Sequence, residues 1–188
     1  MEMLILSPHF MCILNADEVQ MLTMLYSQLY PGRTIHHFPY SYQRCGRVTL
    51  CGYLIGSTLP GGNNCASSVV MAFWPTNGTT LSIDYQKKSA GRVQYYVRHF
   101  IHIKCGNKID VLEHVFAYVK WKTVHPNHNF YGQSATISKN MFESPSMCSF
   151  LPVQRIACLA AHTVLTVNLG HIEESIFISC PIPIKFYM

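Results

Sequence analysis

The sequence predicts a mainly β domain, α+β in class: a small antiparallel barrel or sandwich of six or seven strands, preceded by one amphipathic helix. Segments rich in β-branched and aromatic residues recur from residue 47 to residue 180. Turn signals separate them, at Pro60-Gly61-Gly62, Pro75-Thr76-Asn77-Gly78, Cys105-Gly106-Asn107-Lys108 and His125-Pro126-Asn127. Near the start of the chain one stretch has helical periodicity instead. The 188 residues are read as one domain, with 1–45 supplying helix and lead-in and 46–188 the β-domain. Hydrophobic residues make up 49 % and charged residues 12 %, against a usual charged share of about 25 %. So few charges argue against disorder and suggest apolar surface that something else covers, a partner or the rest of a longer polypeptide.

The helix follows from its cap. Asn15 stands at the N-cap and Glu18 three residues on completes a capping box, with Asp17 also in the positive first turn. Val19, Leu22, Leu25, Tyr26 and Leu29 form one apolar stripe, and Pro31-Gly32 ends it. After it, strands are expected at 47–56, 68–74, 91–104, 112–122, 148–156, 158–168 and 175–180. The pair 91–104 and 112–122 reads as a hairpin. Alternation gives it an aliphatic face that includes Val93, Val97, Ile101, Val115, Val119 and Trp121. The other face mixes rings with cations: Tyr96, Arg98, Phe100, Lys104, Tyr118, Lys120 and Lys122.

The formal net charge is +5 and lies in the middle of the chain: residues 91–142 hold seven Lys/Arg against two Asp/Glu. Basic charge interleaved with aromatic rings suits stacked bases with cations on phosphates, or a protein partner gripped by rings. That hairpin face is therefore the candidate binding site, unless Phe100, Phe116 and Tyr118 pack beneath the helix.

Catalytic readings are weaker. In GGNNCASS (61–68), Cys65 follows a glycine turn as a nucleophile would, which makes a cysteine hydrolase the alternative. A low thiol pKa needs a helix N-terminus, however, and SVVMAFW (68–74) makes a better strand. His99, His102 and Cys105 cannot share a metal from one strand, because positions 99 and 102 point to opposite faces. Neither His36-His37 nor the loop pair His125 and His128 completes a zinc set. No phosphate-cradling loop and no nucleophile elbow is present, and no cofactor or metal is expected. The eight cysteines are too dispersed for a disulfide framework. The opening MEMLILSPHF lacks the basic start of a secretory signal, and no apolar run reads as a membrane span. The expectation is an intracellular protein, with the nucleus as one location.

The series GRVQYYVRHF (91–100), HVFAYVKWKTVHP (114–126), SFLPVQRIACLAAHTV (149–164) and ESIFISCPIPIKF (174–186) resembles uncharacterised invertebrate proteins of mobile-element origin. The strand order is similar to that of bromo-adjacent homology modules, β-barrels that dock histones or other proteins. SVVMAFWP (68–75) fits the same pattern. The resemblance spans about 68–186 and rests on core strands, so it carries over no catalytic residue. It implies a non-catalytic module that binds nucleic acid or a chromatin protein, with a structural interaction domain of a larger protein as the rival.

Overall fold

A computed structural model describes residues 3–50, 52–59, 68–85, 87–126, 136–169 and 172–182. In chain order the elements are β1 (Met3–Ile13), α1 (Ala16–Leu29), β2 (Thr34–His37), β3 (Ser41–Leu50), β4 (Tyr53–Ile55), β5 (Val69–Ala72), β6 (Ser89–Cys105) and β7 (Lys108–Val124). They continue with β8 (Thr136–Phe142), β9 (Phe150–Pro152), β10 (Ile156–Leu169) and β11 (Ile172–Ile182). The mainly β class and the single N-terminal helix are as the sequence predicts. The strand count is larger, eleven among the described residues.

Every strand pair is antiparallel, and six strands close a ring: β6–β5–β10–β11–β8–β7 and back to β6. The remaining strands extend this barrel. β6 is 17 residues long and pairs with β7 along its length. Its other edge takes β5, then β3, then β2 in succession. β1 and β4 add to β3, and β9 adds to β7.

The additional strands have local causes. The expected strand at 47–56 is two, β3 and β4, with Gly52 between them at φ 79°. The expected strand at 148–156 is mostly 3-10 turn, Met147–Ser149 and Val153–Arg155 flanking the three-residue β9. That turn is fixed from two sides, because Trp74 and Trp121 both donate their Nε1–H to the Cys148 carbonyl, at 3.0 and 2.8 Å. Two buried indoles thereby satisfy their only polar group on one acceptor.

The helix forms as its sequence dictates, with both arms of the Asn15–Glu18 capping box in place. Leu22, Leu25 and Tyr26 are fully buried, and Val19 and Leu29 pack against the same core. α1 is 14 residues long, and among the described residues no helix is long and apolar enough to cross a membrane. A second, smaller apolar cluster lies inside the ring: Val69, Met71, Ala90, Cys158, Ala160 and Phe177.

Candidate functional site

The helix lies on the β6–β7 hairpin, and polar contacts fix it there. Tyr26 packs its ring against Phe116 and the imidazoles of His99 and His114. His99 Nε2 lies 2.7 Å from the Pro39 carbonyl, an acceptor only, so Nε2 carries the proton. His99 Nδ1 then accepts the Tyr26 hydroxyl at 2.9 Å. Tyr30 bonds His114 Nε2 at 2.9 Å. Tyr95 donates its hydroxyl to Glu18 Oε1 at 2.8 Å, using the second oxygen of the capping carboxylate. Burial lowers the pKa of both histidines; His114, which also feels His99, falls to about 4. The helix therefore rests on neutral imidazoles.

The predicted basic–aromatic face does not form as one surface. Two registers run along the hairpin. Arg92 faces Lys120 and Val93 faces Val119, but past an extra residue in β6, Gln94, the partners become Tyr95 with Tyr118 and Val97 with Phe116. Beyond this bulge, odd residues of β6 share a face with even residues of β7. Tyr96, Arg98, Phe100 and Lys104 consequently stand opposite Ala117, Val115, Glu113 and Ile109, on the side away from the helix. Phe116 and Tyr118 are on the helix side, as packing beneath the helix requires; Phe100 is not.

Individual residues follow from that division. Tyr96 is fully buried, its hydroxyl on the Gly56 carbonyl, and offers no ring to a base. Arg98 is held by Glu113 through two parallel bonds of 2.7 and 3.0 Å, by Gln43, and over the Phe100 ring at 5.1 Å. Glu113 raises the Arg98 pKa and has its own lowered by the same bond. Tyr118 stacks on Tyr95 at 4.8 Å, and the Arg44 guanidinium lies over the Tyr95 ring at 3.7 Å. A cation–ring–ring stack does exist, but it is filled from within the chain. Lys120 and Lys104 are exposed, whereas Lys122 is buried inside the ring.

A different cationic group is exposed at the hairpin's end. Thr34 pairs with Lys104 and Cys105 with Lys108, and Arg33 donates to Cys105 Sγ. Arg33 and Lys108 thus share the Cys105 face of the hairpin's end with Asp110, while Lys104 stands on the opposite face beside Thr34 and Ile109. Arg33 carried no sequence signal, because only the pairing of β2 brings it to the hairpin, and Lys108 shows in the sequence only as part of a turn. Beside this end Thr23, Ile35, His36, His37, Phe38 and Tyr40 line a shallow cleft of ≈ 400 Å³.

Cys65 lies outside the described residues, as do Asn127 and His128. His99 faces the helix while His102 turns to the His37 ring, 5.1 Å away, so the two point apart as alternation requires. His125 meets Glu174 at 3.4 Å. Among the described residues no three metal-binding side chains cluster. No protein-family model, no curated protein and no solved structure matches the chain.

Proposed function

We propose that the chain is a non-catalytic binding module for a polyanionic partner, nucleic acid in the first instance, engaged by the outer end of the β6–β7 hairpin. The observation that supports it is the set of exposed cations around the hairpin's end, Arg33 and Lys108 on one face with Asp110, and Lys104 on the other, of which Lys104 and Lys108 lie in the part of the chain that carries the net charge. Cations held on paired strands lose little freedom when they meet phosphates, and each contact releases counterions. The resemblance to bromo-adjacent homology modules and to mobile-element proteins points the same way, toward docking, inside the cell and in the nucleus. Fluorescence anisotropy with labelled single- and double-stranded oligonucleotides tests the reading. Binding weakens in Lys104→Ala with Lys108→Ala and is retained in Arg98→Ala, whose cation is already neutralised by Glu113.

A protein partner is the second reading, and a separate observation favours it. β1 has one neighbour, β3, among the described residues, and Met3–Ile13 contains no Asp, Glu, Lys or Arg. Phe10, Met11 and Ile13 are 54, 66 and 80 % exposed. An uncharged apolar edge is what proteins usually avoid unless another chain, or more of the same polypeptide, pairs with it. Met11→Lys abolishes such pairing and leaves oligonucleotide binding unchanged.

A further inference from the structure

We propose that the β-ring is a phosphate-binding site, in which Arg92, Lys122, His162 and the Ser179 hydroxyl hold one tetrahedral oxyanion. These residues come from four different strands, β6, β7, β10 and β11, and register brings them to one level. His162 is directly opposite Ser179. Arg92 reaches across β5 to place Nη2 3.5 Å from His162 Nε2. Lys122 reaches across β8 to lie 4.3 Å above the Phe177 ring, on which His162 also stacks at 5.1 Å. Lys122 is 4 % exposed, and its one hydrogen-bond acceptor is Asn140 Oδ1 at 2.9 Å.

Three basic groups converge here, and among the described residues no carboxylate forms an ion pair with any of them. Burying cations without a counter-charge is costly, and proteins normally pair them. Two buried polar atoms of these residues also lack a partner among the described residues: Arg92 Nε, and the Oγ of Ser179, a fully buried residue. An oxyanion answers all of these at once. Its oxygens accept from guanidinium, ammonium, the imidazole N–H and the hydroxyl together, and its charge offsets that of Arg92 and Lys122. The two cations also disfavour further positive charge beside them. Burial and Arg92 lower the Lys122 pKa, and burial, Arg92 and Lys122 lower that of His162. The way in is from the Asn140–Phe142 side, where both residues are exposed and Arg92 and His162 are half-buried. Phosphate fits better than a carboxylate because four donors arrive from four strands rather than in one plane.

This site shares no residue with the hairpin end, so each stands or falls separately. The test is a titration of the purified chain with inorganic phosphate, followed by 31P line broadening and thermal unfolding, with chloride at matched ionic strength as control. Phosphate is expected to raise Tm and chloride not to. Arg92→Gln and His162→Gln should each weaken phosphate binding about tenfold or more, the loss expected for one charge-assisted bond. His162→Gln, at the half-buried rim, keeps the test valid if Arg92→Gln does not fold. A phosphomonoester such as phosphoserine, run in parallel, separates the two sources of the group: tighter binding than inorganic phosphate identifies an esterified ligand, weaker binding the free ion. Equal Tm in phosphate and chloride, or phosphate binding undiminished in both variants, overturns the proposal.

Discussion

His114 and His99 tie the helix to the hairpin from buried positions that disfavour their charged forms. Their folded pKa values lie below the ordinary histidine value of about 6.5, so the unfolded chain takes up protons first as pH falls. Their contribution is full above about pH 6.5 and is lost as pH falls through about 4, where His114 protonates in the fold. Thermal unfolding between pH 7 and pH 4 should therefore show Tm falling over this window, and His114→Gln should flatten that fall. Tyr26→Phe removes the hydroxyl from His99 Nδ1 and leaves a buried acceptor unpaired, a loss of about 1–3 kcal/mol that urea unfolding reads directly. Gly91 is a case of close approach: a Cβ there would press on Val119 Cγ1 and stand 2.7 Å from Trp121 Cε3. Gly91→Ala should cost about 1–3 kcal/mol by overpacking, measured the same way. None of these side-chain contacts was legible in the sequence. Tyr26 and His99 are 73 residues apart, and local patterning cannot say which ring meets which imidazole.

At the level of elements, the helix was the most legible feature, since a capping box and a five-residue stripe are local signals. Asn15→Ala should lower stability by about 1 kcal/mol, seen as a reduced midpoint in denaturant at unchanged m-value. The strands were legible where β-branched and aromatic residues alternate, as in β6, β7 and β10. β1, β2 and β8 went unexpected. MLILSPHFMCI carries a proline and a register shift between Leu6 and His9, and β2 is only four residues long. The candidate face failed for a reason of register. Alternation along one strand gives its own two faces, but the face a partner strand adds depends on the pairing, and one bulge at Gln94 exchanges them. Tyr96 and Tyr118 were grouped by parity, although Tyr118 stacks on Tyr95.

For the whole molecule, the uneven charge was legible as composition, while its placement was not. Of the seven basic residues in 91–142, Arg98 is neutralised by Glu113, Arg92 and Lys122 turn into the ring, and Lys104 and Lys108 join Arg33 at the hairpin's end. That distribution separates two cationic groups of different kinds, one exposed and one enclosed. The central claim, docking of a polyanion at the exposed one, is tested most directly by the salt dependence of oligonucleotide affinity. With Arg33, Lys104 and Lys108 each meeting a phosphate, log K should fall against log salt with a slope of about −2 to −3. Lys104→Ala with Lys108→Ala should reduce that slope by about two. A slope near zero, or one that the double variant leaves unchanged, would contradict the claim.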